Sequence, residues 1–462
     1  MNKKIKKSLF YSIVDGSFWS IMFGMGERYL AAFAVFLKAT NLQLGLLTSL
    51  PLLIGSILQY FSMKLTDYFG SRKRFTMTTA TIQAFIWIPI LLSFFMGKMS
   101  VNFLILFAII YFVSGMIAVP AWNSWIGDLV PAEIRGKYFA KRNRITGLVI
   151  FLSFVLGGII LDLFKDGSNK QYIGFIIIFL AAMFARFFSV MFLGKKYEPK
   201  FKIRKRSEFS FFDFIKQARF RNYGLFVFFL TLMNFAVYIT APYFVAYMLY
   251  DLEFSYFTYM IVVSAAFIAK YLSLPVWGEL TDTYGTKKIL ALTGFIIPIL
   301  PVLWIFSKSV SYLMGVQILG GIFWAGFELS SFNFVFDTTT PEKRPRCVSY
   351  YNMINGVLIF LGSIAGSIII KYNTLFWSKY YLAFIVSGSL RFLIALYFLP
   401  KLREVREVAD IKYQKVFLKA SNMIITQSFN NLTFLLLYPR RFKLVKDTVS
   451  KVRNHLPGSN RH

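Results

Sequence analysis

Apolar residues run along the chain in a dozen stretches of roughly twenty, separated by short polar or basic segments. A helix rises 1.5 Å per residue, so a stretch of about 20 residues crosses a hydrocarbon core about 30 Å thick. The pattern predicts twelve membrane helices over 9–36, 42–65, 75–96, 102–127, 145–164, 172–193, 223–249, 255–277, 289–307, 312–336, 351–370 and 380–399. The opening MNKKIKKSLF has the look of a secretory leader. The apolar stretch behind it is too long for one and carries Asp15, Glu27 and Arg28, so it reads as a retained first helix.

Composition narrows the class further. Of 462 residues, 57% are hydrophobic and only 16% charged, which excludes an ordinary soluble chain and leaves an all-α polytopic membrane protein. The net charge of +31 would suit nucleic acid on a soluble basic face, but here the basic residues sit between spans, so no nucleic-acid partner is expected. Cys347 is the single cysteine, and His455 and His462 both fall in the C-terminal tail. An intrachain disulfide, a cysteine metal cluster and an intramembrane histidine site are thereby excluded, and no cofactor is expected.

The positions of Lys and Arg predict orientation. With the N-terminus inside, the inner segments hold 41 and the outer loops 7, and without the 13 of the long tail the balance is still 28 against 7. Basic residues in short loops mark the cytoplasmic side. Both termini are therefore expected in the cytoplasm, with the chain in the cytoplasmic membrane.

An internal repeat organises the chain. MKLTDYFGSRKRF (63–75) follows the second helix and GELTDTYGTKKIL (278–290) follows the eighth. At an offset of 215 residues Leu65, Thr66, Asp67, Gly70 and Lys73 match Leu280, Thr281, Asp282, Gly285 and Lys288, with Arg72 opposite Lys287. At an offset of 209, Asp128, Arg135, Asn143, Gly147 and Gly157 recur as Asp337, Arg344, Asn352, Gly356 and Gly366. The repeat predicts two parallel, pseudo-symmetric six-helix bundles related by an axis along the membrane normal. The expected divisions are 1–193 (first bundle), 194–222 (basic linker), 223–400 (second bundle) and 401–462 (basic tail).

The two D-x-x-G-x-(R/K)-(R/K) loops, with DLVPAEIRG (128–136) after the fourth helix, resemble the signature elements of the major facilitator superfamily. Met63 departs from the pattern, which has the glycine found at Gly278. The resemblance implies a secondary transporter that rocks two bundles about a central site. Helices 1, 4, 7 and 10 would line the cavity, while 3, 6, 9 and 12 would face lipid. On physical grounds Gly70 and Gly285 allow tight turns. Asp67 and Asp282 stand where a carboxylate can accept bonds from loop cations or a helix N-terminus and act as a latch. Arg72, Lys73, Lys287 and Lys288 serve either that gate or plain inward-positive anchoring.

Charged residues inside spans are costly and need a partner, a wet cavity or an escape to the interface. In the first helix Ser20, Gly24 and Glu27 share a face as a narrow polar stripe, and Arg28 points about 100° away. In the tenth, Trp324, Glu328 and Ser331 share a face, and Lys270 of the eighth lies at similar depth, so a Lys270–Glu328 pair is expected. Glu27 and Glu328, one in each half, are the proton-coupling candidates, because a carboxyl withdrawn from water favours its neutral form. Asp15 is expected nearer the inner surface. Ser20, Asn234, Tyr238 and Trp324 are the substrate-cavity candidates, although Asn234 and Tyr238 could equally bond a neighbouring helix or backbone freed by Pro242. Arg186 and Arg391 are expected to snorkel to headgroups, and Trp122 and Trp125 to sit in the interfacial belt.

The linker ends in an aromatic amphipathic stretch (209–220), and the tail segment 440–456 sets Phe442, Val445, Val449 and Val452 on one face amid basic residues. Both predict association with the anionic inner leaflet. Together these features point to a monomeric transporter of a small-molecule substrate. The other readings are a non-transporting scaffold or sensor on the same fold and, last, an intramembrane enzyme, for which no nucleophile–base pair stands out.

Overall fold

The computed structural model describes residues 3–426 apart from 94, 96, 98, 132–133, 200–210, 219–221, 340–343, 407, 409–412 and 425. The described residues form helices and their connections. Helix α1 runs Lys3–Met25, steps through a 3-10 turn at Glu27–Tyr29 and continues over Leu30–Phe36. Then come α2 (Asn41–Gln59, extended by Ser62–Phe69), α3 (Arg72–Leu92), α4 (Val101–Leu129), α5 (Arg135–Leu163) and α6 (Ser168–Gly194). The second half holds α7 (Asn222–Asp251), α8 (Tyr256–Tyr284), α9 (Thr286–Leu303), α10 (Val310–Thr338), α11 (Arg344–Tyr372) and α12 (Tyr381–Lys401). Eleven of these are long and apolar enough to cross a membrane. Helix α1, whose first piece carries four lysines and Asp15, falls outside that group.

Several helices outrun the apolar stretches that announced them. Helices α4, α5, α8, α10 and α11 are each 29 residues long, about 43 Å at 1.5 Å per residue. Hydrophobicity marks only the part that lies in hydrocarbon, and the polar turns beyond it stay helical. Side-chain caps fix the starts: Thr40 and Gln43 form a capping box at α2, and Ser255 accepts from the Thr258 amide at α8.

The packing repeats six helices on. In the first half α1 packs on α5 and α6, and α4 on α2 and α3; in the second half α7 packs on α11 and α12, and α10 on α8 and α9. The halves meet through α2 with α11 and α5 with α8, a pair of contacts that the same pseudo-symmetry exchanges. On the face away from the termini one hydrophobic core runs through both halves, joining Tyr29, Phe33 and Phe154 to Tyr243, Tyr247 and Met260. Toward the basic face, which carries the termini, the cores belong to single halves. The molecule is thus sealed on the face opposite Lys3 and Thr426, where the described chain starts and stops, and there the Tyr250 hydroxyl also donates to the Val35 carbonyl.

Two segments outside the bundles differ from expectation. The linker helix, Phe211–Ala218, turns Phe211 and Phe214 onto Tyr350 of α11 rather than leaving its whole aromatic face for lipid. Residues 413–424 of the tail form a helix whose Val416 and Ala420 are buried against Trp277, Leu280 and Tyr284 of α8. The tail stretch 440–456 lies outside the described residues.

Candidate functional site

The centre of the molecule is organised by the break in α1. Gly26 lies against the indole of Trp87, so close that a Cβ there would stand 2.6 Å from the ring. The 3-10 step that follows changes the rotation of the chain, and two successive charged side chains leave in different directions. Glu27, partly buried, accepts a hydrogen bond of 2.9 Å from the Tyr111 hydroxyl of α4. Arg28 lies between the rings of Phe23 and Phe267, at 4.9 and 4.5 Å from their centroids. Phe267 belongs to α8, so this contact bridges the halves. Glu27, Tyr259, Tyr271 and Glu328 are within electrostatic reach of the guanidinium. Its Nε is buried without a hydrogen bond.

Across from it Lys270 of α8 donates to Glu328 of α10 at 2.5 Å. The Glu328 side chain keeps 53% of its surface and that of Lys270 31%, deep within their helices. Such exposure leaves the pair beside open space. Trp324, one turn from Glu328, packs edge-on against Phe327 at 5.6 Å. Asn234 donates to the Asn355 side chain at 2.7 Å, which ties α7 to α11, and Tyr238 stands one turn further along, partly buried.

Ser20 departs from its expected place. It is fully buried, and its hydroxyl donates to the Gly16 carbonyl at 2.8 Å within its own helix. Gly24 lies against α5, where a Cβ would meet the Ile150 carbonyl at 2.7 Å. Ser20 and Gly24 therefore do not line the open space. Both lie in the unbroken piece Lys3–Met25, and the break at Gly26 takes only Glu27 out of register with them.

The repeated loops are built alike. Gly70 and Gly285 both adopt positive φ (60° and 91°), which turns the chain into α3 and α9. Glu198, beyond α6, accepts from the Arg72 amide at 2.8 Å and the Ser71 hydroxyl at 2.6 Å. Glu404, beyond α12, accepts from the equivalent Lys287 amide at 2.7 Å. Each carboxylate thus caps a helix start and complements its dipole. Arg72 is almost wholly buried and pairs with Asp128 at 2.6 Å, not with Asp67. Lys73 donates to the Gly194 and Lys196 carbonyls, which makes it a brace at the end of α6 rather than a headgroup anchor. In the second half Asp337 accepts from Thr286 (2.8 Å) and Arg406 (3.0 Å), and Arg406 also reaches Asp282 at 3.2 Å. Oδ1 of Asp67 is buried with no partner among the described residues. Gly278 has open space where its Cβ would stand, so the Met63 departure costs no close packing. The two glutamates had a readable signal, being 206 residues apart just past matching helices.

Three expectations for the spans are corrected, and Asp15 gains partners that the sequence did not reveal. Asp15 is buried, pairing with Lys196 at 3.1 Å and accepting from Ser189 at 2.8 Å. Arg186 does not snorkel: it is buried and donates to Gln83 and Ser189. Arg391 is likewise buried and donates to Thr240 Oγ1 at 3.0 Å. Trp125 is no belt residue, being buried with its Nε1 donating to the Tyr197 carbonyl. Each of these polar groups finds an internal partner on another segment of the chain, which spacing along one helix does not reveal.

Comparison with known proteins agrees with this architecture. The sequence profile of the Major Facilitator Superfamily matches residues 8–248 and 224–439. Multidrug resistance protein 3 of Bacillus subtilis (strain 168) is 26% identical over 136 residues, 29% of this chain and 27% of that relative's length. Among solved structures, the nucleoside transporter NupG is similar at TM-score 0.62 and 16% identity, over 86% of this chain and 99% of its own. A D-xylose-proton symporter is similar at TM-score 0.67 and 14% identity, over 88% and 100%. At these identities the structures speak for the shared fold.

Proposed function

We start from the fact that this chain belongs to the Major Facilitator Superfamily, and so is a membrane transporter, and propose that it moves a small solute by proton-coupled alternating access. The observation that carries the coupling is Glu27, a carboxyl in the membrane interior that is hydrogen-bonded to Tyr111 and has no salt-bridge partner among the described residues. Such a group can take a proton when the site faces one side and release it when the site faces the other. Glu328 is the second carrier, with Lys270 as the cation that stabilises it when the proton has left.

Two pseudo-symmetric halves sharing one core on a single face supply the two-state element that alternating access requires. The chain divides at 194–222, which links the bundles, and ends in the basic tail from 401. The excess of basic residues on the terminal face argues that this face is cytoplasmic and that the open space of this conformation looks inward. The related proteins act on unlike solutes by their names, so they support transport without selecting a substrate.

The test uses proteoliposomes under an imposed pH difference, screened for solute-induced proton flux. Glu27→Gln or Glu328→Gln should abolish accumulation against a gradient while solute exchange continues, since exchange can cycle with the site permanently neutral. Accumulation that survives in both single variants and in the double variant would assign coupling to another group or another ion.

A further inference from the structure

Among the described residues three arginines are buried, and a fourth, Arg28, is partly buried within the first helix. Arg72 has Asp128 and Glu198, Arg186 has Gln83 and Ser189, and Arg391 has Thr240 and a backbone carbonyl. The Nε of all four lacks a hydrogen bond among the described residues, but Arg28 alone also has no bond or ion pair there through its terminal nitrogens. What it has is a clamp. Phe23 lies near it at 4.9 Å and Phe267 at 4.5 Å, one ring from each half of the molecule. Aromatic contacts favour the cation and restrict the guanidinium, but they satisfy none of its N–H groups. A planar donor fork, fixed and left unpaired, matches the geometry of a carboxylate or phosphate.

The neighbouring charges leave this role open. Glu27 is engaged by Tyr111, and Glu328 is held by Lys270 at 2.5 Å, so neither acid is committed to Arg28. Counted together, Glu27, Arg28, Lys270 and Glu328 sum to zero with both acids ionised. Protonation of one acid leaves a single positive charge, which a monoanion would cancel.

We propose that Arg28 is the receptor for an anionic group of the transported solute. The substrate class is then a small organic anion, with its carboxylate or phosphate on the guanidinium and its apolar body beside Phe23, Phe267 and Tyr271. The inference rests on the transport reading and gives it a chemical class. It also accounts for the bridging position of Arg28, since a bound anion would contact residues of both halves at once.

Isothermal titration calorimetry on the purified full-length chain in detergent tests this without requiring flux. Benzoate and phenyl phosphate serve as anionic probes, with benzyl alcohol and benzylamine as neutral and cationic controls of the same shape. Saturable binding of at least one anion is expected, with the controls at least tenfold weaker. Arg28→Gln should weaken anion binding tenfold or more, whereas Arg28→Lys, which keeps the charge without the fork, should fall between. The unfolding temperature of each variant verifies that it is folded. Failure of both anions to bind, binding of benzylamine as tight as that of the anions, or unchanged anion affinity in Arg28→Gln would overturn the assignment. If anions bind but no solute drives proton flux in vesicles, the transport coupling fails and the anion site stands.

Discussion

At the scale of single residues, polar groups inside this protein separate by whether they are satisfied. Asp15, Lys196, Ser189, Arg186 and Gln83 form one connected network where α1, α3 and α6 meet. The side chains of Lys196 and Asp15 are 0% and 4% exposed, so their pair is scarcely screened by solvent. Removing one partner strands the other, at a cost of about 3–5 kcal/mol, while replacing both by apolar groups of similar size is often neutral. Lys196→Met should therefore sharply lower the unfolding temperature in detergent, and Asp15→Leu combined with Lys196→Met should recover most of the loss. Gly26 makes the complementary case. A methyl group there would meet the Trp87 ring at 2.6 Å, and Trp87 is itself buried in the shared core. Gly26→Ala should cost about 1–3 kcal/mol by overpacking. Because it also displaces the step that aims Glu27 and Arg28, it should impair transport more than thermal unfolding alone suggests.

Elements carry the gate. Both halves use the same device, in which a carboxylate past the sixth helix of the bundle caps the start of the third, but the guanidinium comes from different places. In the first half Arg72 lies inside the loop motif, while in the second the motif offers Lys287 and the tail supplies Arg406. Arg72 is buried, whereas the Arg406 side chain is 33% exposed and more screened. Asp128 is itself 48% exposed and Asp337 only 12%. Even so, Asp128→Asn removes the closest charge partner of a buried guanidinium, whereas Asp337→Asn leaves Arg406 partly exposed and beside Asp282, so Asp128→Asn should cost more stability. The opposite order in thermal unfolding would mean that the tail contact dominates. Asp67 is the other informative case, because Oδ1 lacks a partner among the described residues in this conformation. If the aspartate is a latch, its partner belongs to the other conformation, so Asp67→Asn should weaken that state alone and raise the population seen here. Spin labels at Phe103 and Trp377, exposed on the sealed face, and at Tyr68 and Val405, exposed on the basic face, can read this shift as electron–electron distances in a Cys347→Ser background. Unchanged distance distributions in Asp67→Asn would remove the latch role.

At the scale of the whole molecule, what the sequence makes legible is what repeats. Hydropathy located the spans, and the matched loops at 63–75 and 278–290 anticipated a pseudo-symmetry that the packing of helix pairs now displays. The Lys270–Glu328 expectation came from two depths read on adjacent helices of one bundle, and the two groups lie 2.5 Å apart. What stayed hidden was set by contacts between distant segments. The break at Gly26 follows from Trp87, the burial of Arg186 from Gln83, and the pairing of Asp15 from a lysine in the linker, none of which alters the periodicity of the helix that bears it. The seal between the halves is of the same kind, and it supplies the test of their motion. Gly158 of α5 lies against α8, where a Cβ would already stand 2.7 Å from Met260 Cβ. A bulky side chain there cannot be absorbed by rotamer changes alone, because the surrounding core is shared and close-packed. Gly158→Trp should therefore act as a wedge that drives the halves apart on the sealed face. If each half moves as a rigid body about the α2–α11 and α5–α8 contacts, separation on one face requires approach on the other. The Phe103–Trp377 distance should lengthen and the Tyr68–Val405 distance should shorten in the same variant. A lengthening on the sealed face with no change on the basic face would show that the halves bend locally rather than rock, and alternating access by rigid bundles would fail for this protein.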